Sequence, residues 1–163
     1  MSEKNLDNAD LARIKEILPH RDPMLLIDRV EEMDGESSAV GYKHVTGDEV
    51  FLKGHFPGKP VFPGMLLLEA MAQTAGVMVL AHKGIRAADS LVYFVSVDKA
   101  RFRRPVVPGE TVRFDVKTIK GRRNIYWFDC TARVGDEVCA EAVVSAMLAE
   151  DPEKIAARQS ASG

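Results

Sequence analysis

The sequence predicts an α+β fold, an antiparallel sheet wrapped around one long buried helix. Two observations predict it. Met65 to about His82 is apolar on almost every side, which is the pattern of a helix inside a core rather than on its surface. About six runs rich in β-branched and aromatic residues, separated by turn residues, read as strands in meander order. A chain of 163 residues without repeat or linker suits one domain with an adequate core.

In chain order, residues 1–10 read as a flexible, polar N-terminus. Leu11, Ile14, Ile17 and Leu18 mark one face of a short helix, with Asp10 available as its cap and Pro19 as its end. Pro19 to Pro23 is a turn, Met24 to Met33 a strand, and Asp34-Gly35 a second turn. Ala39 to Val45 is the next strand, followed by the loop that starts at Thr46. After the helix, Leu91 to Phe102 reads as a long strand, because Tyr93, Val95 and Val97 alternate with Phe94, Ser96 and Asp98. Pro105 to Gly109 breaks it. Thr111 to Ile119 and Ile125 to Val134 form a hairpin around Lys120 to Asn124, and Val138 to Leu148 is the last strand. The folded domain thus spans residues 11–149, and 150–163 is a polar tail expected to be mobile.

The chemistry concentrates between Gly54 and Leu80. Gly54 to Gly64 holds His55, Pro57, Gly58, Pro60 and Pro63, which together fix one loop path and exclude regular structure. Pro63-Gly64 starts the helix, and His82-Lys83-Gly84 gives it a cationic last turn and a glycine stop. Glu69, Gln73 and Gly76 form one narrow stripe on the otherwise apolar helix. A carboxylate there is costly without a partner or a task. The segment reads as too short and too interrupted to span a membrane.

Net charge is −2, so nucleic acid is not an expected partner. The N-terminus is polar and acidic, which argues against a secretory signal. Cys130 and Cys139 fall in strands; a two-residue turn at Gly135-Asp136 would set Cys139 opposite Ala132, diagonal to Cys130 and too far for a disulfide. Two buried thiols in a reducing compartment, the cytoplasm, is the expectation. The two cysteines and four scattered histidines make no metal cluster.

Four segments carry a family resemblance. They are Leu18-Pro19-His20-Arg21-Asp22-Pro23, Leu25 to Val30, Gly54 to Gly64 running into Glu69-Ala70-Met71-Ala72-Gln73, and Ala100 to Gly109. Together the sequence resembles the FabZ-type (3R)-hydroxyacyl-acyl-carrier-protein dehydratases over about residues 9 to 149. The resemblance implies a hot-dog fold, dehydration of (3R)-hydroxyacyl chains on acyl carrier protein to trans-2-enoyl chains in fatty acid elongation, and no cofactor or metal. It implies a homodimer joined sheet edge to sheet edge, with trimers of dimers common in the family, and no membrane insertion. It places a catalytic histidine at His55 and a catalytic glutamate at Glu69, drawn from different subunits.

The residues fit that chemistry. An imidazole titrates near neutrality and suits removal of a C2 proton. A carboxyl in an apolar helix favours its neutral form and suits protonation of the leaving hydroxyl. The Gly64 N–H at a helix start suits the charge that develops on the thioester oxygen. His20, His44 and His82 read as structural or surface residues. Tyr93, Phe94 and Phe102 read as core, with part of that strand lining the substrate tunnel. Arg101, Arg103 and Arg104 have two equal readings, a solvated strand end and a docking patch for an acidic carrier. The chain departs from the family at Asp48, where asparagine is usual, at Val50, where proline is common, and at Asp22, where an aromatic is usual. A hot-dog thioesterase, a FabA-type dehydratase/isomerase with aspartate in place of Glu69, and a non-catalytic acyl-thioester sensor are the competing classes.

Overall fold

The computed structural model describes residues 5–162. Seven strands form one antiparallel sheet: β1 (Asp7–Ala9), β2 (Arg29–Asp34), β3 (Ser38–His44), β4 (Ser90–Phe102), β5 (Thr111–Arg122), β6 (Ile125–Val134) and β7 (Glu137–Glu150). The helices are α1 (Leu11–Ile17), α2 (Gly64–Lys83) and α3 (Pro152–Ala161). Asp10 caps α1 by accepting the Arg13 N–H at 2.9 Å, as its position before the apolar stripe predicts.

The core is α2 laid against one face of the sheet. Its buried side chains share one core cluster with Leu18, Phe114, Phe128, Val144 and Leu148, all fully buried. The helix is buried without a break from Ala70 to Leu80. It ends at Gly84, whose φ of 69° is the left-handed conformation that releases the chain from helical hydrogen bonding. At 20 residues it is long and apolar enough to cross a membrane by length and composition alone, which corrects the expectation that it is too short. Its burial inside the sheet marks it here as a core helix.

Several expectations are revised. The sheet order is β1-β2-β3-β5-β6-β7-β4, not a meander, because α2 carries the chain across the sheet and β4 pairs with β7 at the far edge. The strand expected from Met24 begins at Arg29. The Met24 carbonyl and Leu26 N–H bond the Gln73 side chain instead of a neighbouring strand. Residues 1–4 of the expected flexible N-terminus lie outside the described residues, but Asp7–Ala9 pairs with β2 as an edge strand. The tail expected to be mobile carries α3, capped by Asp151, which accepts the Glu153 N–H at 2.9 Å. Cys139 does not face Ala132. A register shift beside Arg133 pairs Ala132 with Ala140, while Cys130 pairs with Ala142, and both thiols are free and buried. Tyr93, Phe94 and Phe102 are exposed by 61%, 42% and 51%, so none of them belongs to the core of this chain.

Candidate active site

The loop before α2 is closed on itself by backbone bonds. The Phe56 N–H donates to Lys59 O, the Lys59 N–H to Phe56 O, and the Val61 N–H to His55 O at 2.7 Å. The Phe62 N–H then donates to Val106 O at 2.8 Å, which ties the loop to the Pro105–Pro108 break after β4. Between these two segments and the start of α2 lies a largely apolar cleft of about 520 Å³, lined by His55, Phe62, Gly64, Phe102, Arg103 and Val106 among others.

His55 is half-buried in this cleft, its ring stacked on Phe56 with centroids 4.3 Å apart. Its Nδ1 lies 2.8 Å from the Val61 carbonyl oxygen. A carbonyl only accepts, so the Nδ1 proton is held there and Nε2 carries the free lone pair. Beside it, α2 begins with two N–H groups, those of Gly64 and Met65, that meet no acceptor among the described residues. A bare imidazole nitrogen and two unpaired amides thus share one cleft.

Glu69 does not line that cleft. It stands five residues beyond Gly64, about 7.5 Å along the helix axis and roughly 140° around it. Its side chain is 20% exposed, not enclosed by apolar groups alone. Oε1 accepts from Gln73 Nε2 at 3.0 Å and lies 3.4 Å from His20 Nε2. Gln73 is itself fixed: its Oε1 accepts the Leu26 N–H at 2.8 Å and its Nε2 donates to Met24 O at 2.7 Å. Of the two readings of His20 from the sequence, structural or surface, the surface one falls, since its side chain is only 17% exposed. The signal available was its place inside Leu18 to Pro23, a segment singled out as a whole but not residue by residue. His44 and His82 do lie at the surface, His44 with Nδ1 2.9 Å from Thr111 Oγ1.

The arginines divide. Arg104 pairs with Glu110 and Glu137, and its hydrogen bond holds the Glu110 carboxyl below the usual carboxylate range. Arg103 pairs with Glu141 at 2.6 Å, whereas Arg101 makes no ion pair among the described residues. Nearby, Glu49 accepts the Thr46 and Gly47 N–H groups and pairs with Lys43; burial pushes its carboxyl up, but these donors bring it down to about 2. The Asp48-Glu49 departure thus leaves the loop anchored through Glu49.

Comparison with known proteins gives the lineage. Residues 18–143 match the family described as FabA-like domain. The chain is 49% identical over 146 residues to a 3-hydroxyacyl-[acyl-carrier-protein] dehydratase FabZ of Methylobacterium sp., covering 89% of this chain and 88% of that protein. It is 50% identical over 143 residues to the protein of the same name from Sinorhizobium fredii, covering 88% and 92%. In fold it is similar to the dehydratase heterocomplex ApeI:P from Xenorhabdus doucetiae, with a TM-score of 0.73 at 19% identity over 87% of this chain and 94% of that one. The fold is the hot-dog fold. With the match over most of its length and identity near one half to curated dehydratases, this chain belongs to the FabA-like family, in its FabZ-type 3-hydroxyacyl-[acyl-carrier-protein] dehydratase branch.

Proposed function

We propose that this protein removes water from (3R)-hydroxyacyl thioesters on acyl carrier protein, giving trans-2-enoyl thioesters in the elongation cycle of fatty acid synthesis. The observation that carries the reading is the His55 ring, its Nδ1 proton fixed on Val61 O, beside the unpaired Gly64 and Met65 N–H groups. His55 Nε2 takes the C2 proton. Charge moves to the thioester oxygen, where the two amides and the positive end of α2 receive it. Glu69 protonates the C3 hydroxyl as the C–O bond breaks, and water leaves. The base, the acid and the N–H donors are all protein groups, and no step draws on a cofactor.

The separation of Glu69 from the His55 cleft supports a site completed by a second copy. So does β4, a sheet edge with Tyr93 and Val95 exposed by 61% and 50%, which a partner strand would cover. A homodimer, with further assembly into trimers of dimers, follows the same logic. For the carrier, Arg101, which makes no ion pair among the described residues, is the foremost docking group of the three, while Arg103 is paired with Glu141 and Arg104 with Glu110 and Glu137. The free buried thiols fit the cytoplasm.

The test is hydration of a crotonyl thioester, followed by loss of enoyl absorbance. His55→Ala and Glu69→Gln should each lose about 10²–10⁴-fold in turnover with fold and assembly intact. Near-native turnover in either variant overturns the assigned roles.

A further inference from the structure

We propose that His20 is a positioning residue for Glu69, and that its Nε2–H decides which carboxyl oxygen carries the transferred proton. The inference rests on Glu69 being the acid of the reaction. Three observations support it. His20 Nε2 stands 3.4 Å from Glu69 Oε1, the same oxygen that accepts from Gln73 Nε2 at 3.0 Å. His20 Nδ1 is buried and meets no hydrogen-bond partner among the described residues. The backbone around His20 is pinned, since the Arg21 guanidinium donates to Leu18 O, His20 O and Lys15 O at 2.7–2.9 Å.

The tautomer follows. A proton on Nδ1 would be a buried donor without an acceptor, which is costly. With Nδ1 bare, the ring proton sits on Nε2 and points to Glu69. The 3.4 Å contact is longer than a good hydrogen bond, and such contacts tighten when substrate seats. Oε1 then has two donors, one amide and one imidazole. An oxygen receiving two N–H groups is the carbonyl oxygen of a protonated carboxyl, so the acidic proton resides on Oε2.

When Oε2 gives that proton to the C3 hydroxyl, the new carboxylate charge is shared with Oε1, where both donors already point. Their bonds strengthen as charge develops, so they act on the transition state more than on substrate binding. Loss of the His20 donor should therefore lower kcat and leave KM nearly unchanged.

The experiment uses the full-length protein and two short thioesters, 3-hydroxybutyryl and 3-chlorobutyryl N-acetylcysteamine. Water leaves only with help from an acid. Chloride leaves as the anion: the base takes the C2 proton, the C3–Cl bond breaks with its electron pair, and the C2–C3 double bond forms. His20→Ala should lose roughly 10–100-fold in kcat on the hydroxy substrate and stay near wild type on the chloro substrate. His20→Gln, whose Nε2 mimics the ring Nε2, should recover most of the loss, and His20→Asn should not. Equal loss on both substrates would show a structural role and overturn the proposal, as would no loss on either or rescue by asparagine. Glu69→Gln run alongside separates the two readings. If it too loses both substrates equally or neither, the acid assignment falls and the His20 proposal with it. If it loses only the hydroxy substrate while His20→Ala does not, His20 alone is misassigned.

Discussion

The ring of Phe102 occupies the space that a side chain at position 64 would need. A Cβ on Gly64 would lie 2.8 Å from both Cδ1 and Cε1 of Phe102, closer than real contacts allow. Glycine here lets an aromatic wall of the cleft stand directly over the helix start, where the unpaired N–H groups lie. Phe102 is half exposed, so its ring can swing away without unfolding the core.

Gly64→Ala should therefore fold normally and lose roughly 10–100-fold in kcat/KM, because a shift of about 1 Å at a reacting group costs that much. Phe102→Ala in the same background should restore part of the loss by emptying the contested space. A Gly64→Ala enzyme at wild-type rate would mean that the ring is not packed against this position during turnover.

A second close approach lies in the core. A Cβ on Gly41 would stand 2.1 Å from Thr74 Oγ1 and 3.0 Å from Thr74 Cβ, so β3 and α2 touch through a bare backbone. The Thr74 hydroxyl is also tied down, donating to Ala70 O at 2.9 Å. Gly41→Ala should cost about 1–3 kcal/mol by overpacking, read from the urea midpoint, and Thr74→Ala should recover part of it. An unchanged midpoint would mean that helix and sheet separate at little cost, contrary to the packing described.

Glu49 gives a pH prediction. Its folded pKa, about 2, lies below the 4.5 of a free glutamate, so its contribution is present above pH 4.5 and fades as pH falls toward 2. The difference corresponds to roughly 3 kcal/mol, with little discount for solvent because the side chain is only 11% exposed. The stability gap between wild type and Glu49→Gln should shrink by roughly 2 kcal/mol between pH 6 and pH 3. A gap independent of pH in that range would refute the assignment.

The central helix was legible because its signals are local: Pro63-Gly64 at one end, Gly84 at the other, and apolar residues between. The placement of His55 beside the helix start at Gly64 was legible for the same reason, through one continuous motif. Long-range relations were not. Strand β4 pairs with β7 at the far edge of the sheet, which no periodicity encodes. The register shift that moves Cys139 out of line with Ala132 depends on how β6 meets β7. His20 and Glu69 come together only because the Leu18–Pro23 turn folds over α2, so a histidine read only as structural or surface faces the carboxyl. The Arg101, Arg103 and Arg104 run looked uniform, but Glu110, Glu137 and Glu141 neutralise two of the three from elsewhere in the fold.

His55 precedes α2 and Glu69 lies on it, yet only His55 lines the cleft at its start, and the helical offset from Gly64 to Glu69 turns the carboxyl to another side. If one subunit supplies the histidine and its partner the glutamate, each dimer holds two sites built from opposite contributions. A dimer mixed from His55→Ala and Glu69→Gln subunits then has one site missing both groups and one site intact. Random exchange makes half of the dimers mixed, so activity should return to about a quarter of wild type, although neither parent is active. The measurement is crotonyl thioester hydration after the two variants are dissociated and reassembled together, with exchange verified by differently tagged subunits. Verified exchange without recovered activity would mean that both residues of a working site come from one chain.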